Sequence, residues 1–168
     1  MKKFLFILTY WLLSLTWGII MSSIGFITIL IVLMLGGKPH KNGCTLIVEI
    51  GGNWGGLELG CFALCGSYSK TDKIWFERTR RHEFGHNIQH MLLGPFFIFI
   101  VGIPSAIRYW YKIIATKRGK KFSSDWYDSI WFEGTATKWG TDIMNKFWLG
   151  GLNNVWHIWY YRKNSSYN

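Results

Sequence analysis

Thr79-Arg80-Arg81-His82-Glu83-Phe84-Gly85-His86-Asn87-Ile88-Gln89-His90-Met91-Leu92-Leu93 reads as one helix, with Gly94-Pro95 ending or kinking it. It contains an H-E-x-x-H pentad, His82 to His86. On a helix, positions i and i+4 share a face, so both imidazoles can reach one metal ion. Glu83 sits beside that pair, where a carboxylate can hold and deprotonate a metal-bound water. His90 extends the series by another four residues, but His82 and His90 lie roughly 12 Å apart along a straight helix axis. One ion cannot bridge them, so His90 is read as an orienting, substrate-contacting or interfacial residue.

Upstream, Thr45 to Ile50 is rich in β-branched residues and is followed by the glycine-rich turn Gly51 to Gly56. Leu57 to Cys65 alternates, with Leu57, Leu59, Cys61, Ala63 and Cys65 on one side. A turn at Ser67 to Asp72 and a third strand at Lys73 to Phe76 complete a small antiparallel sheet ahead of the pentad helix. Cys44, Cys61 and Cys65 contain no C-x-x-C pair and read as buried free thiols.

Further upstream, no charged side chain occurs between Phe4 and Gly37, while Lys2-Lys3 precede this run and Lys38 and Lys41 follow it. About 20 apolar residues suffice to cross a bilayer, and no cleavage site of small residues is evident. Residues 1–37 are therefore expected to form a retained transmembrane helix. A second uncharged stretch, Asn87 to Ile107, is interrupted by Pro95 and Pro104 and reads as broken, re-entrant or interfacial. If it crossed the bilayer, His86 and Glu133 would emerge on opposite sides.

The formal net charge of +10 would suit nucleic acid, but its distribution points elsewhere. The basic residues flank apolar segments, at Lys2-Lys3, Arg78-Arg80-Arg81 and Arg108 to Lys121, as in proteins that meet anionic headgroups. Eleven Trp and eight Tyr fit a membrane interface too, so a lipid bilayer is the expected partner and nucleic acid is not. The trailing residues Arg162 to Asn168 read as a frayed polar tail.

Glu133 supplies a third candidate ligand, within Trp131-Phe132-Glu133-Gly134-Thr135-Ala136. Trp-x-Glu-Gly-x-Ala resembles the second helix motif of the gluzincin metallopeptidases, including the M1 aminopeptidases. The resemblance covers the pentad and this motif only. Together with Arg81 to Gln89 and Leu93 to Phe97, the chain is also similar to small bacterial membrane proteins that carry the pentad. The gluzincin resemblance implies Zn2+ held by His82, His86 and Glu133, with Glu83 as general base and peptides or proteins as substrates. It departs from the aminopeptidases in the 47 positions between His86 and Glu133. An intramembrane site like that of site-2 proteases would use Asp142 instead. Tyr127, His157, Tyr160 and Tyr161 are available as oxyanion donors.

The sequence thus predicts an α+β, membrane-associated protein. Residues 1–37 form the anchor, 38–162 a metallopeptidase-like domain broken at 87–107, and 163–168 the tail. Its expected function is zinc-dependent peptide hydrolysis near a membrane surface, most simply the bacterial cytoplasmic membrane. The alternative is a catalytically inactive metal-binding or non-enzymatic membrane protein.

Overall fold

The computed structural model describes residues 1–52, 54–66, 73–123 and 125–148. The expected turn at Ser67 to Asp72, the tail, and His157, Tyr160 and Tyr161 lie outside them. The fold is α+β. Helices α1 (Lys2–Leu15) and α2 (Ile19–Met34) come first, followed by strands β1 (Lys38–Asn42), β2 (Thr45–Glu49), β3 (Gly56–Leu59) and β4 (Phe62–Cys65). Helices α3 (Lys73–Leu93), α4 (Ile103–Lys117) and α5 (Trp131–Phe147) follow.

The sheet is mixed rather than antiparallel, in the order β1-β2-β4-β3. β1 and β2 form an antiparallel hairpin, β2 and β4 run parallel, and β3 pairs antiparallel with β4 at the edge. The alternating run 57–65 is therefore two strands. Gly60 breaks it with φ +72°, in a turn so close to the backbone of Met21 and Ser22 that no side chain fits. The expected single face switches at this turn: Leu57 and Leu59 pair with Leu64 and Phe62, whereas Ala63 pairs with the buried Glu58. Cys61 sits in the turn and Cys65 in β4, and all three cysteines are free thiols.

Lys73 to Phe76 is the first turn of α3, not a strand. Phe76 packs with Ile47, Ala63 and Cys65, and four residues were too few to distinguish the two periods. α3 lies across the sheet, burying Phe84, Ile88 and Met91 against Tyr10 and Cys61. Two polar tethers fix it there. Asn87 donates to the carbonyls of Gly60 and Phe62, and Asn42 donates to that of Arg80. At its end Gly94 turns left-handed (φ +54°) against the Trp17 indole, which donates to the Leu92 carbonyl.

The N-terminal run is not one straight helix. α1 and α2 meet at 92° near Thr16 to Gly18. Gly18 sits where a Cβ would overlap the His90 imidazole, and Gly25 where one would overlap the Leu59 carbonyl, so both helices fold down onto α3 and β3. The uncharged 87–107 stretch is divided as well. Asn87, Gln89 and His90 belong to the buried last turns of α3, and beyond Gly94–Phe96 a π-turn at Ile98–Gly102 leads into α4. Among the described residues, Ile98–Lys117 alone forms a helical stretch long and apolar enough to cross a membrane without a sharp bend. Residues 118–130 return alongside it. Arg108 stacks on Trp126 and donates to the carbonyls of Trp126 and Tyr127, while Phe122 packs on Tyr111 and Trp126.

Candidate metal centre

α3 and α5 cross at two glycines. A Cβ on Gly85 would overlap the Ala136 carbonyl, and one on Gly140 would overlap the Arg81 carbonyl. Gly85 thus leaves room for the second helix. This close approach brings Glu133, in the first turn of α5, against the pentad.

His82 Nε2 lies 3.0 Å from Glu133 Oε2 and 3.0 Å from His86 Nε2, and His86 Nε2 lies 3.3 Å from Glu133 Oε2. Three donor atoms in a triangle with edges of 3.0 to 3.3 Å match one face of a tetrahedral zinc site. There, ligands at about 2.0–2.1 Å from the ion stand roughly 3.3 Å apart. Glu133 and His86 are buried, while His82 keeps 18% of its side chain exposed, so the triangle opens on the His82 side.

The surrounding hydrogen bonds fix which ring nitrogens carry protons. Gln89 Nε2 donates to the Phe132 carbonyl and to Thr135 Oγ1, each at 2.7 Å, which leaves its Oε1 to accept from His86 Nδ1 at 2.7 Å. Thr137 Oγ1 donates to Asp128 Oδ1 at 3.2 Å and so accepts from His82 Nδ1 at 2.8 Å. With both Nδ1 atoms donating, the two Nε2 lone pairs face each other and the Glu133 carboxylate. Three converging lone pairs repel one another unless a cation stands among them. Glu133 Oε1 is buried without a hydrogen-bond partner, which leaves it available to the same cation. The residues present therefore fit a divalent metal with imidazole and carboxylate preference.

Burial alone would raise the Glu133 carboxyl, but in metal-free protein, where Nε2–H groups rather than a cation face it, hydrogen bonds and charge from His82 and His86 outweigh burial and hold it below its ordinary range. Glu83 behaves oppositely. It is packed over Gly56 of β3, and burial pushes it up to about 7, with His86 lowering it and Glu133 raising it. A carboxyl raised on folding binds its proton more tightly in the folded state. Its stabilising contribution is present below the unfolded value of about 4.3 and is lost as pH rises through about 7. In metal-free protein, Glu83→Gln is therefore expected to gain melting temperature relative to wild type between pH 5 and pH 8. Paired thermal melts at the two pH values check this.

Tyr127 reaches the site from the returning segment, its ring 6.2 Å from that of His82 and its hydroxyl 3.3 Å from Ser105 Oγ. Burial, then the charge of Glu133, hold its phenol well above the usual value, so it remains a proton donor. Asp142 does not join the site. It pairs with Lys138 at 3.0 Å on the outer, exposed side of α5. His90 also stays outside the triangle, buried against Phe97, as the helix geometry required.

Gln89, Thr137 and Asp128 were not singled out by sequence. Their signal was spacing, with Gln89 three residues after His86 and Thr137 four after Glu133, on the same helix faces. Partners of this kind typically account for about 10–100-fold in metal affinity. Gln89→Leu and Thr137→Val are each expected to weaken binding by that factor without abolishing it, as competition with a chromogenic chelator would measure. Comparison of the chain with protein-family models, curated proteins and solved structures finds no match.

Proposed function

We propose that the chain is a membrane-associated, zinc-dependent peptidase of gluzincin-like character, acting on peptides or proteins at the bilayer surface. The observation that carries this reading is the convergence of His82, His86 and Glu133 beside a buried glutamate. Structural zinc sites are closed by four protein ligands, whereas a three-ligand set leaves a position for water and substrate. Zn2+ bound there would supply Lewis acidity, polarising a carbonyl and lowering the pKa of a coordinated water towards about 7.

Glu83 fits the role of general base. Held near neutrality by its burial, it can take a proton from the attacking water and return it to the leaving amine nitrogen. Tyr127, on the open His82 side, is placed to donate a hydrogen bond to the developing oxyanion. Burial on the Gly56 side keeps Glu83 away from bulk water.

Membrane association rests on exposed apolar surface. Leu5, Leu8, Leu12, Ile20, Ile24, Ile27 and Ile31 of α1 and α2 are exposed, as are Ile103, Ile107, Trp110 and Ile114 of α4. Only 11% of the apolar window in Ile98–Lys117 is buried, unlike a core helix. A patch on this scale on a soluble monomer would be unusual. The 92° bend and the return of 118–130 along α4 favour helices that insert from one side, since α3 and α5 must stay together. The same surface supports reading the protein as integral to a membrane, such as the bacterial cytoplasmic membrane.

Hydrolysis of a quenched-fluorescent peptide library by detergent-purified protein is the direct test. Cleavage that a chelator stops and Zn2+ restores is expected. Zinc uptake without cleavage, in wild type and Glu83→Gln alike, would instead favour an inactive metal-binding protein.

A further inference from the structure

Behind the triad, on the side of α3 that faces β3 and α1, lies a second group of chemically capable side chains. Glu58 of β3 and His90 of α3 are both buried, their side chains 3% and 0% exposed. No group meets the Glu58 oxygens or the His90 ring nitrogens at good hydrogen-bond geometry, although Asn87 and Gly60 lie beside Glu58 and the Gly18 backbone beside His90, and the hydroxyls of Tyr10 and Ser14 have only each other to bond with. The backbone at Gly18 closes over the imidazole, and Phe97 packs edge-on against both His90 and His86, separating the two places. Each buried polar group without a good partner costs about 1–3 kcal/mol, so these four groups, with six polar atoms between them, leave bonding capacity that a bound ligand would fill.

We propose that Glu58 and His90 form a second cation site, selective for a first-row divalent metal such as Zn2+ and distinct from the His82–His86–Glu133 triad. His90 Nδ1 and Glu58 Oε1 stand 4.0 Å apart. That is too far for a hydrogen bond of about 2.7–3.2 Å. It exceeds the roughly 3.3 Å between two ligands of a tetrahedral zinc ion by about 0.7 Å, a gap that a small rotation of the Glu58 carboxylate closes on binding. Charge points the same way. Glu58 is buried, and no Lys or Arg among the described residues forms an ion pair with it, so a bound cation would be the counter-charge of its carboxylate. An imidazole nitrogen in the donor set favours Zn2+ and its neighbours over Mg2+ or Ca2+. The Glu58 carboxylate can bind through both oxygens, and the buried Tyr10 hydroxyl of α1, which feels the charge of Glu58, is a further oxygen in the region. His90 is one helical turn from His86, so the two ions would be neighbours stacked along α3.

The test is zinc stoichiometry on full-length, detergent-purified protein, stripped with chelator, loaded with excess Zn2+ and desalted. Two equivalents per chain are expected in wild type. One is expected in each of Glu58→Gln, His90→Gln and His86→Ala. One equivalent that His86→Ala removes and Glu58→Gln retains would overturn this site and leave the triad standing. One that Glu58→Gln removes and His86→Ala retains would uphold this site and overturn the triad. Two equivalents surviving in both Glu58→Gln and His90→Gln would also overturn the assignment, as would none in wild type. Zinc K-edge absorption of loaded His86→Ala protein gives an independent readout that changes neither proposed ligand. A nearest-neighbour shell with one imidazole and carboxylate oxygen is expected, and an oxygen-only shell overturns the proposal.

Discussion

Replacing Glu133 with alanine is expected to remove one equivalent of zinc per chain and with it all zinc-dependent hydrolysis. The carboxylate is the only anionic member of the triad, and it touches both histidines at 3.0 and 3.3 Å. Without it, two neutral imidazoles remain, and a divalent ion would have to leave water for a buried pair with no compensating charge. Glu133 is fully buried, so the truncation also leaves a small cavity, and a loss of fold would imitate a loss of ligand. Glu133→Gln separates the two effects. It keeps the volume and supplies a neutral oxygen, so the protein should still melt cooperatively while binding zinc far more weakly than the 10–100-fold losses expected at Gln89 and Thr137. Zinc retained at full stoichiometry in both Glu133 variants would remove this residue from the site.

Gly85→Ala is expected to be, with Gly140→Ala, among the most damaging added methyl groups at the described glycines. A Cβ there lands on the Ala136 carbonyl, which belongs to helix backbone and cannot rotate away as a side chain would. Overpacking of a well-filled interface typically costs about 1–3 kcal/mol, and a backbone-to-backbone clash belongs at the upper end. The only relief is to spread α3 from α5, and that separates the pentad from Glu133. Stability and metal binding should therefore fall together. Gly140→Ala, which meets the Arg81 carbonyl across the same crossing, should reproduce both losses. A Gly85→Ala protein with wild-type melting temperature and zinc content would show that the helices do not cross this tightly. Gly134→Ala provides a contrast, since the Cβ there meets the Asp128 carbonyl in a loop that can shift.

The contrast between Gly85 and the anchor region shows where sequence reasoning worked and where it failed. The pentad needed only helical period to place His82 and His86 together, because side chains four residues apart meet on any α-helix. Free cysteines, the helix end at Gly94 and the exclusion of His90 from the triad followed from equally local rules. Lys73 to Phe76 misled because a four-residue apolar segment fits either period, and its contact with Ile47 and Ala63 settled the outcome. The parallel pairing of β2 with β4 was hidden for a related reason. Strand order depends on which edge the chain returns to, and no residue pattern within a strand encodes that. Within 4–37, uniform apolarity concealed a 92° bend, since hydropathy has no direction when every face is alike.

By itself, then, the sequence determined the local chemistry: two imidazoles and a carboxylate on one helix, a second carboxylate motif downstream, and long uncharged stretches beside basic residues. Only the tertiary structure decided that Glu133 stands 3.0 to 3.3 Å from both histidines across 47 positions of chain. It also decided that Gln89 and Thr137 fix the ring protons, and that Glu58 meets His90 in a separate buried place. The physical reason is the same in each case. Hydrogen-bonded periodicity is set by neighbours in sequence, whereas the approach of α3 to α5 is set by the absence of side chains at Gly85 and Gly140, which lets two backbones touch.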